Sequence, residues 1–202
     1  MGATDPASAI PDDIDDLYRR AVAAFGDLVH RVGPDRWGDP TPCADWDVRV
    51  LVNHLVAEDR WAEALFGGRT IAEVGDAFAG DLLGDDPLAA WDRAASGALA
   101  ATPRREDLDR SVGLERGPTP ARTYLMELAN DHVIHAWDLA AAIGADRRLD
   151  PALVAPARAW FATVEDVYRR WGAIGPRPPI PTEADEQTVL LAMSGRRADW
   201  RP

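Results

Sequence analysis

Leu125-Met126-Glu127-Leu128-Ala129-Asn130-Asp131-His132-Val133-Ile134-His135-Ala136-Trp137-Asp138-Leu139-Ala140 decides how this chain is read. The helical pattern around it runs from about Ala121 to Ile143, and Gly144 ends it. At ~100° per residue, Tyr124, Leu128, Asp131, His135, Leu139 and Ala142 fall on one face. Asp131 and His135 thus take positions where a core-facing helix carries Leu or Ile. A carboxylate buried alone is costly and needs a partner. Residues four apart on a helix stand one above the other, so this pair suits two ligands of one metal ion. A hydrogen-bonded Asp–His pair without metal is the competing reading of the same spacing.

Outward from this segment, the periodicity predicts further helices. The first covers about Asp12 to Val32, with Ile14, Leu17, Ala21, Ala24 and Leu28 in three- and four-residue steps before Gly33-Pro34. The second begins near Asp45 or Asp47, either of which can cap it, and stops at Gly67-Gly68. A third runs from Pro87 to Ala101 and a later one from Pro151 to Trp171, with a short last helix over Glu183 to Met193. Residues 69–86 are Gly- and Asp-rich with room for one short helix. Thr102 to Pro120 reads as a loop able to hold a short hairpin. The expectation is an all-α protein, a four-helix bundle with extra short helices and long loops. Residues 1–11 form an expected flexible tail, and residues 12–202 a single metal-binding domain.

The total of 22 basic and 34 acidic side chains gives a net charge of −12. That balance argues against a nucleic-acid partner and against docking on an anionic membrane. No run approaches the ~18 apolar residues of a membrane span, and the start lacks the pattern of a secretory leader. With Cys43 as its one cysteine the chain can form no internal disulfide, which fits a reducing cytoplasm. A homodimer through an exposed bundle face stays open.

A third metal ligand should come from another helix, and His54 is the best placed, on the flank of the apolar face near Leu51, Glu58 and Leu65. Two His and one carboxylate leave open positions on zinc, iron or nickel, with zinc first in order. Glu58, one turn after His54, is the candidate for an extra ligand or a catalytic base. Asp138 is placed to orient a ligand from behind. His132 lies about a quarter turn off the stripe and is expected at the rim. Glu127 is expected in solvent. His30, near a helix end, suits the dipole and carries no assigned function. Cys43 precedes a helix N-terminus, but no His is adjacent in sequence, which favours a structural over a nucleophilic role. Trp46, Trp61 and Trp137 lie near the site in sequence and could wall it, although core packing is the expected role for most of the 8 tryptophans.

Thr41-Pro42-Cys43-Ala44-Asp45-Trp46-Asp47-Val48-Arg49, followed by Leu51-Val52-Asn53-His54-Leu55, resembles the second-helix signature of the actinobacterial DinB/YfiT-like superfamily. Within it the resemblance is to the group related to the N-terminal domain of mycothiol-dependent maleylpyruvate isomerase. Asp131 to Ala140 is similar to that group's second signature. The ending, Ala184-Asp185 through Leu190-Leu191-Ala192, then Gly195-Arg196 and Trp200, resembles the close of many small members. The resemblance implies a four-helix bundle whose metal is held by His54, Asp131 and His135. It implies mycothiol as a possible thiol cofactor. Two departures are expected: the acid is Asp131 where the isomerase resembles a Glu-x-x-x-His pattern, and the isomerase's separate C-terminal domain has no counterpart here.

These readings predict a divalent-metal protein, a thiol-dependent transferase or isomerase whose partners are a small-molecule thiol and a small electrophile. The alternatives are metal-dependent hydrolysis by an activated water and a non-catalytic metal-binding or regulatory bundle.

Overall fold

The computed structural model describes residues 5–202. Its first long helix, α1 (Ile14–Val29), turns Ile14, Leu17, Tyr18, Ala21, Val22 and Phe25 into the core. Beyond Val29 the backbone tightens into i→i+3 bonds at Arg31 and Val32, which ends the helix before the expected Val32. Helix α2 (Val48–Phe66) starts where the Asp47 carboxylate accepts from the Val50 amide at 2.8 Å. Asp45, the alternative cap, instead takes a left-handed φ of 66° in the preceding turn. A capping box of Thr70 and Glu73 opens the short α3 (Ile71–Val74). Asp86, Asp150 and Asp185 cap α4 (Pro87–Ala101), α6 (Pro151–Arg170) and α7 (Glu186–Met193). The Asp185 cap is why α7 begins after the expected Glu183. Between α4 and α5 (Ala121–Ala142) lies an antiparallel hairpin, β1 (Ser111–Leu114) and β2 (Gly117–Pro120), with Val112 opposite Thr119. Gly117, at φ 107°, supplies its turn.

Helices α1, α5, α2 and α4 pack in a closed ring, each touching the next: α1 on α5, α5 on α2, α2 on α4 and α4 on α1. This is an all-α bundle, as the periodicity implies. Helix α6 lies on the outside of α5, and α7 on α6. Enclosed this way, α5 is buried on almost every side, from Ala121 through Ala142. The picture of a single buried stripe on this helix therefore needs correction, since no face of it is a solvated one.

Residues 1–4 of the segment expected to be flexible lie outside the described residues. The part that is described is ordered against the bundle. Pro6–Ala9 forms a 3-10 turn capped by Asp5, packs on α6, and leads Ile10 into the core. One apolar anchor in a polar stretch accounts for the difference. No helix of the described residues is long and apolar enough to cross a membrane.

Helices α1 and α4 approach closely at Gly26 of α1, where a Cβ would come 2.9 Å from the indole Nε1 of buried Trp91 on α4. Trp91 is wedged against Phe25 and His132 and has no room to yield. Gly26→Ala should therefore destabilise the protein by about 1–3 kcal/mol despite alanine's better helix propensity. A urea titration that shows equal or higher stability would mean that the α1–α4 contact is looser than described.

Candidate metal centre

His54 on α2 faces α5 and places its Nε2 2.9 Å from Asp131 Oδ2. His135, one turn after Asp131, places its Nε2 3.4 Å from the other oxygen, Oδ1. One nitrogen or oxygen from each residue lies within 4.8 Å of the others, a set that could hold a metal ion. The two imidazoles stand edge to face with centroids 5.2 Å apart. Trp46 covers both, 5.0 Å from the His54 ring and stacked on His135 at 5.8 Å. The loop before α2 holds Trp46 in place: its carbonyl accepts from the Thr41 amide and hydroxyl, and its amide donates to Cys43. The cluster lines a cavity of about 590 Å³ between α2, α5, the end of α6 and the end of α7.

Behind His135 stands Asp138, which has no solvent exposure. Its Oδ2 accepts from His135 Nδ1 at 2.9 Å. Arg196 donates to the same carboxylate from Nε at 3.3 Å and from Nη2 at 3.0 Å. Arg196 arrives there because α7 ends in a Schellman turn. The Arg196 amide donates to Leu191 O and the amide of Gly195, at φ 81°, to Ala192 O. Cys43 closes the group, with Sγ 3.2 Å from Asp138 Oδ2, 3.1 Å from Arg196 Nη2 and 3.8 Å from His135 Nδ1. Cys43, His135 and Asp138 form a second set of metal-type donors. The guanidinium of Arg196 already supplies the positive charge on that side, so a second cation there would meet like charge.

The protonation pattern separates the two sides. With Nδ1–H donated to Asp138, a neutral His135 presents a lone pair at Nε2, facing another lone pair on Asp131. Two acceptors can share that approach only with a proton or a metal ion between them. Burial alone would lower His135, but the Asp131 charge and its hydrogen bonds hold it well above its ordinary 6.5. Burial would likewise raise Asp131, yet His135 and His54 hold it well below 3.8. Asp138 is also held down, Arg196 and His135 outweighing its burial. The donor set thus fits a divalent ion in the place of the proton.

Glu58 lines a side cleft with His54 and Asp131, and burial followed by the Asp131 charge pushes its carboxyl upward. Several expectations need correction. His132 is not at the rim: it is fully buried, with Nδ1 2.8 Å from Leu128 O and Nε2 3.4 Å from Asp59. Glu127 is largely covered and bonded twice to Arg116. Trp61 packs on Phe78, and Trp137 on Ala141 and Leu191, so of the three tryptophans Trp46 alone walls the cavity. His30 pairs with Asp92 on the exposed side of the bundle. Arg196, Asn130 and Tyr168 also line the cavity, and the sequence pattern assigned none of them to the site. An arginine following a helix-stop glycine was the one available signal for Arg196.

The family model that describes the mycothiol maleylpyruvate isomerase N-terminal domain matches residues 18–140. The chain belongs to this family. The matched region contains His54, Glu58, Asp131, His135 and Asp138, whereas α6, α7 and Arg196 lie beyond it. Uncharacterized proteins from two strains of Mycobacterium tuberculosis are 31% identical over 185 residues, covering 89% of this chain and 95% of each relative. No solved structure matches the chain.

Two outcomes follow from the geometry. In metal-free protein, the raised His135 contributes stability that is complete below pH 6.5 and is lost as pH rises through its folded value. The lowered Asp131 and Asp138 contribute above pH 3.8 and lose it as pH falls. Metal-free protein should thus be most stable between those two values, and a melting temperature that climbs steadily from about pH 6 to about pH 9 would contradict the His135–Asp131 pairing. Arg196→Gln leaves Asp138 buried without its cation and should cost about 3 kcal/mol in chemical denaturation. Wild-type stability in that variant would show that the Asp138 charge is neutralised some other way.

Proposed function

We propose that this protein binds one divalent metal ion through His54, Asp131 and His135 and uses it in thiol-dependent transfer or isomerisation of a small electrophile. The observation that carries this reading is the convergence of two imidazoles on one carboxylate at a cavity wall, with His135 Nδ1 tied to buried Asp138. A carboxylate behind a histidine fixes its tautomer and aims Nε2 forward, which is how metal-ligating histidines are commonly held. Two His and one carboxylate suit zinc first, with nickel or iron as alternatives. Membership of the mycothiol maleylpyruvate isomerase N-terminal domain family supports a thiol of the mycothiol type as the cosubstrate. A cytoplasmic setting follows from that choice of thiol.

When bound, the metal would supply positive charge that lowers the pKa of a thiol at its open position. The remaining work falls to the chain. His54 and His135 orient the ion toward the cavity, and Trp46 screens both rings from water. Glu58, raised by its burial and by Asp131, is suited to take up the thiol proton and return it to product. The electrophile would occupy the part of the cavity bounded by Ile134, Phe161 and Ile174.

Element-specific analysis of purified protein should find one divalent ion per chain, and His135→Ala should hold none. With a chlorinated nitrobenzene and a low-molecular-weight thiol, turnover should depend on thiol and stop on addition of chelator. Equal turnover with chelator, or ester hydrolysis without thiol, would overturn the thiol reading. Asp138→Asn should weaken metal retention by about 10–100-fold while leaving the three ligands in place, measured by competition with a chromogenic chelator. Unchanged retention would remove Asp138 from the argument.

A further inference from the structure

A cavity of about 270 Å³ lies on the other side of α5, between α1 and the link from α5 to α6. It shares no lining residue with the metal cavity or with the cleft beside that one. Val133, Ala136 and Ala140 face it from α5, and the ~100° step of the helix turns them away from Asp131 and His135. Leu28 and Leu153 complete a buried floor with those three, and Leu149 is half-buried at its edge. No hydroxyl, amide or aromatic side chain lines the cavity, so an occupant meets only aliphatic groups below the rim. The size falls just under the ~300 Å³ at which pockets for drug-sized ligands begin, which suits a molecule as small as an amino acid.

Charge of both signs rings the opening: Asp27, Asp146 and Asp150 with Arg31 and Arg148. Three of the five are already spent. Arg148 pairs with Asp146 at 2.7 Å. Asp150 accepts from Arg20 at 2.8 Å and from the Ala152 amide that it caps at 2.8 Å. Asp27, in the last turn of α1, and Arg31, just beyond it, make no ion pair or side-chain hydrogen bond among the described residues. One free acid and one free base thus stand over an aliphatic pocket. A simple anion drawn to Arg31 would meet three carboxylates, and a simple cation drawn to Asp27 would meet two guanidiniums. A zwitterion answers both free groups. We propose that this cavity binds a free α-amino acid with a branched aliphatic side chain, its ammonium toward Asp27, its carboxylate toward Arg31 and its side chain on the floor. The two rim charges are exposed, so each contact is weak in water, and selectivity comes from making both while the aliphatic group is buried. The expected dissociation constant is about 1 mM. None of these residues touches the metal centre, so the site stands or falls apart from the proposed function.

Four ligands that differ by one group test it: leucine, leucine amide without the carboxylate, 4-methylpentanoate without the ammonium, and glycine without the side chain. Each is titrated into the full-length protein and followed by amide shifts in two-dimensional NMR. Leucine should bind saturably, with shifts gathered in residues 24–31 and 146–153, and each of the other three should bind about threefold to fivefold more weakly or not at all. Asp27→Asn and Arg31→Gln, both at exposed positions that leave the core intact, should each weaken leucine by a similar factor. Ala24→Phe, which fills the cavity from half-buried Ala24 on α1, should abolish binding. No saturable leucine binding, shifts confined to the metal cavity, equal binding of 4-methylpentanoate or leucine amide, or wild-type affinity in both rim variants would overturn the proposal.

Discussion

A carboxylate with no access to water must be answered by positive charge, and Asp138 meets that demand twice. Arg196 reaches it from the end of α7, and His135 from one turn earlier on its own helix. The first contact ties the C-terminal part of the chain to the bundle. The second sets which nitrogen of His135 carries hydrogen and so which one faces the cavity. Removing the carboxylate would free both, because the imidazole would lose its orientation and the guanidinium its reason to be buried. The position of the candidate metal ligands thus follows from an interaction one layer behind them.

A second buried polar layer runs parallel to the first. Tyr18 of α1 donates to Asp59 of α2 at 2.8 Å, and His132 of α5 approaches the same carboxylate at 3.4 Å. His132 is also boxed in by Tyr18, Phe25 and Trp91. Three helices of the ring therefore converge on one buried carboxylate, α1 through a hydrogen bond and α5 through the close approach of an imidazole, inside a core that is otherwise aliphatic and aromatic. Such a network specifies how the helices are rotated, since any slip would strand a buried charge. Burial of Tyr18 and the neighbouring Asp59 keep its phenol protonated far above its ordinary value, so it stays a donor. Rotation of α5 in turn directs Asp131 and His135 toward α2, where His54 waits.

Much of this was legible in the chain. Capping aspartates, glycine stops and three-four periodicity mark the long helices, and the Gly- and Pro-rich stretch marks the hairpin, because these signals act within a turn or two of backbone. The pairing of Asp131 with His135 was legible for the same reason. His54 was legible from its place on the flank of the apolar face of α2 and from family resemblance, and the ring of helices brings it to the other two. His132 was misjudged because a wheel assumes one solvated face, and α5, enclosed by α1, α2 and α6, has none. Trp61 and Trp137 are near the site in sequence and on other faces in space.

By itself the sequence determined what local physics controls: where helices start and stop, which are amphipathic, and that two polar side chains share one turn of the central helix. Tertiary structure alone decided which partners those side chains meet. Arg196 stands 58 residues from Asp138, and Cys43 stands 92 residues from His135. Asn130 faces a cavity whose other walls come from distant helices. The physical reason is range. Backbone hydrogen bonds and caps span a few residues and leave a pattern that can be read along the chain. Charge pairing and cavity walls depend on where separate helices come to lie, which the packing of the whole core sets.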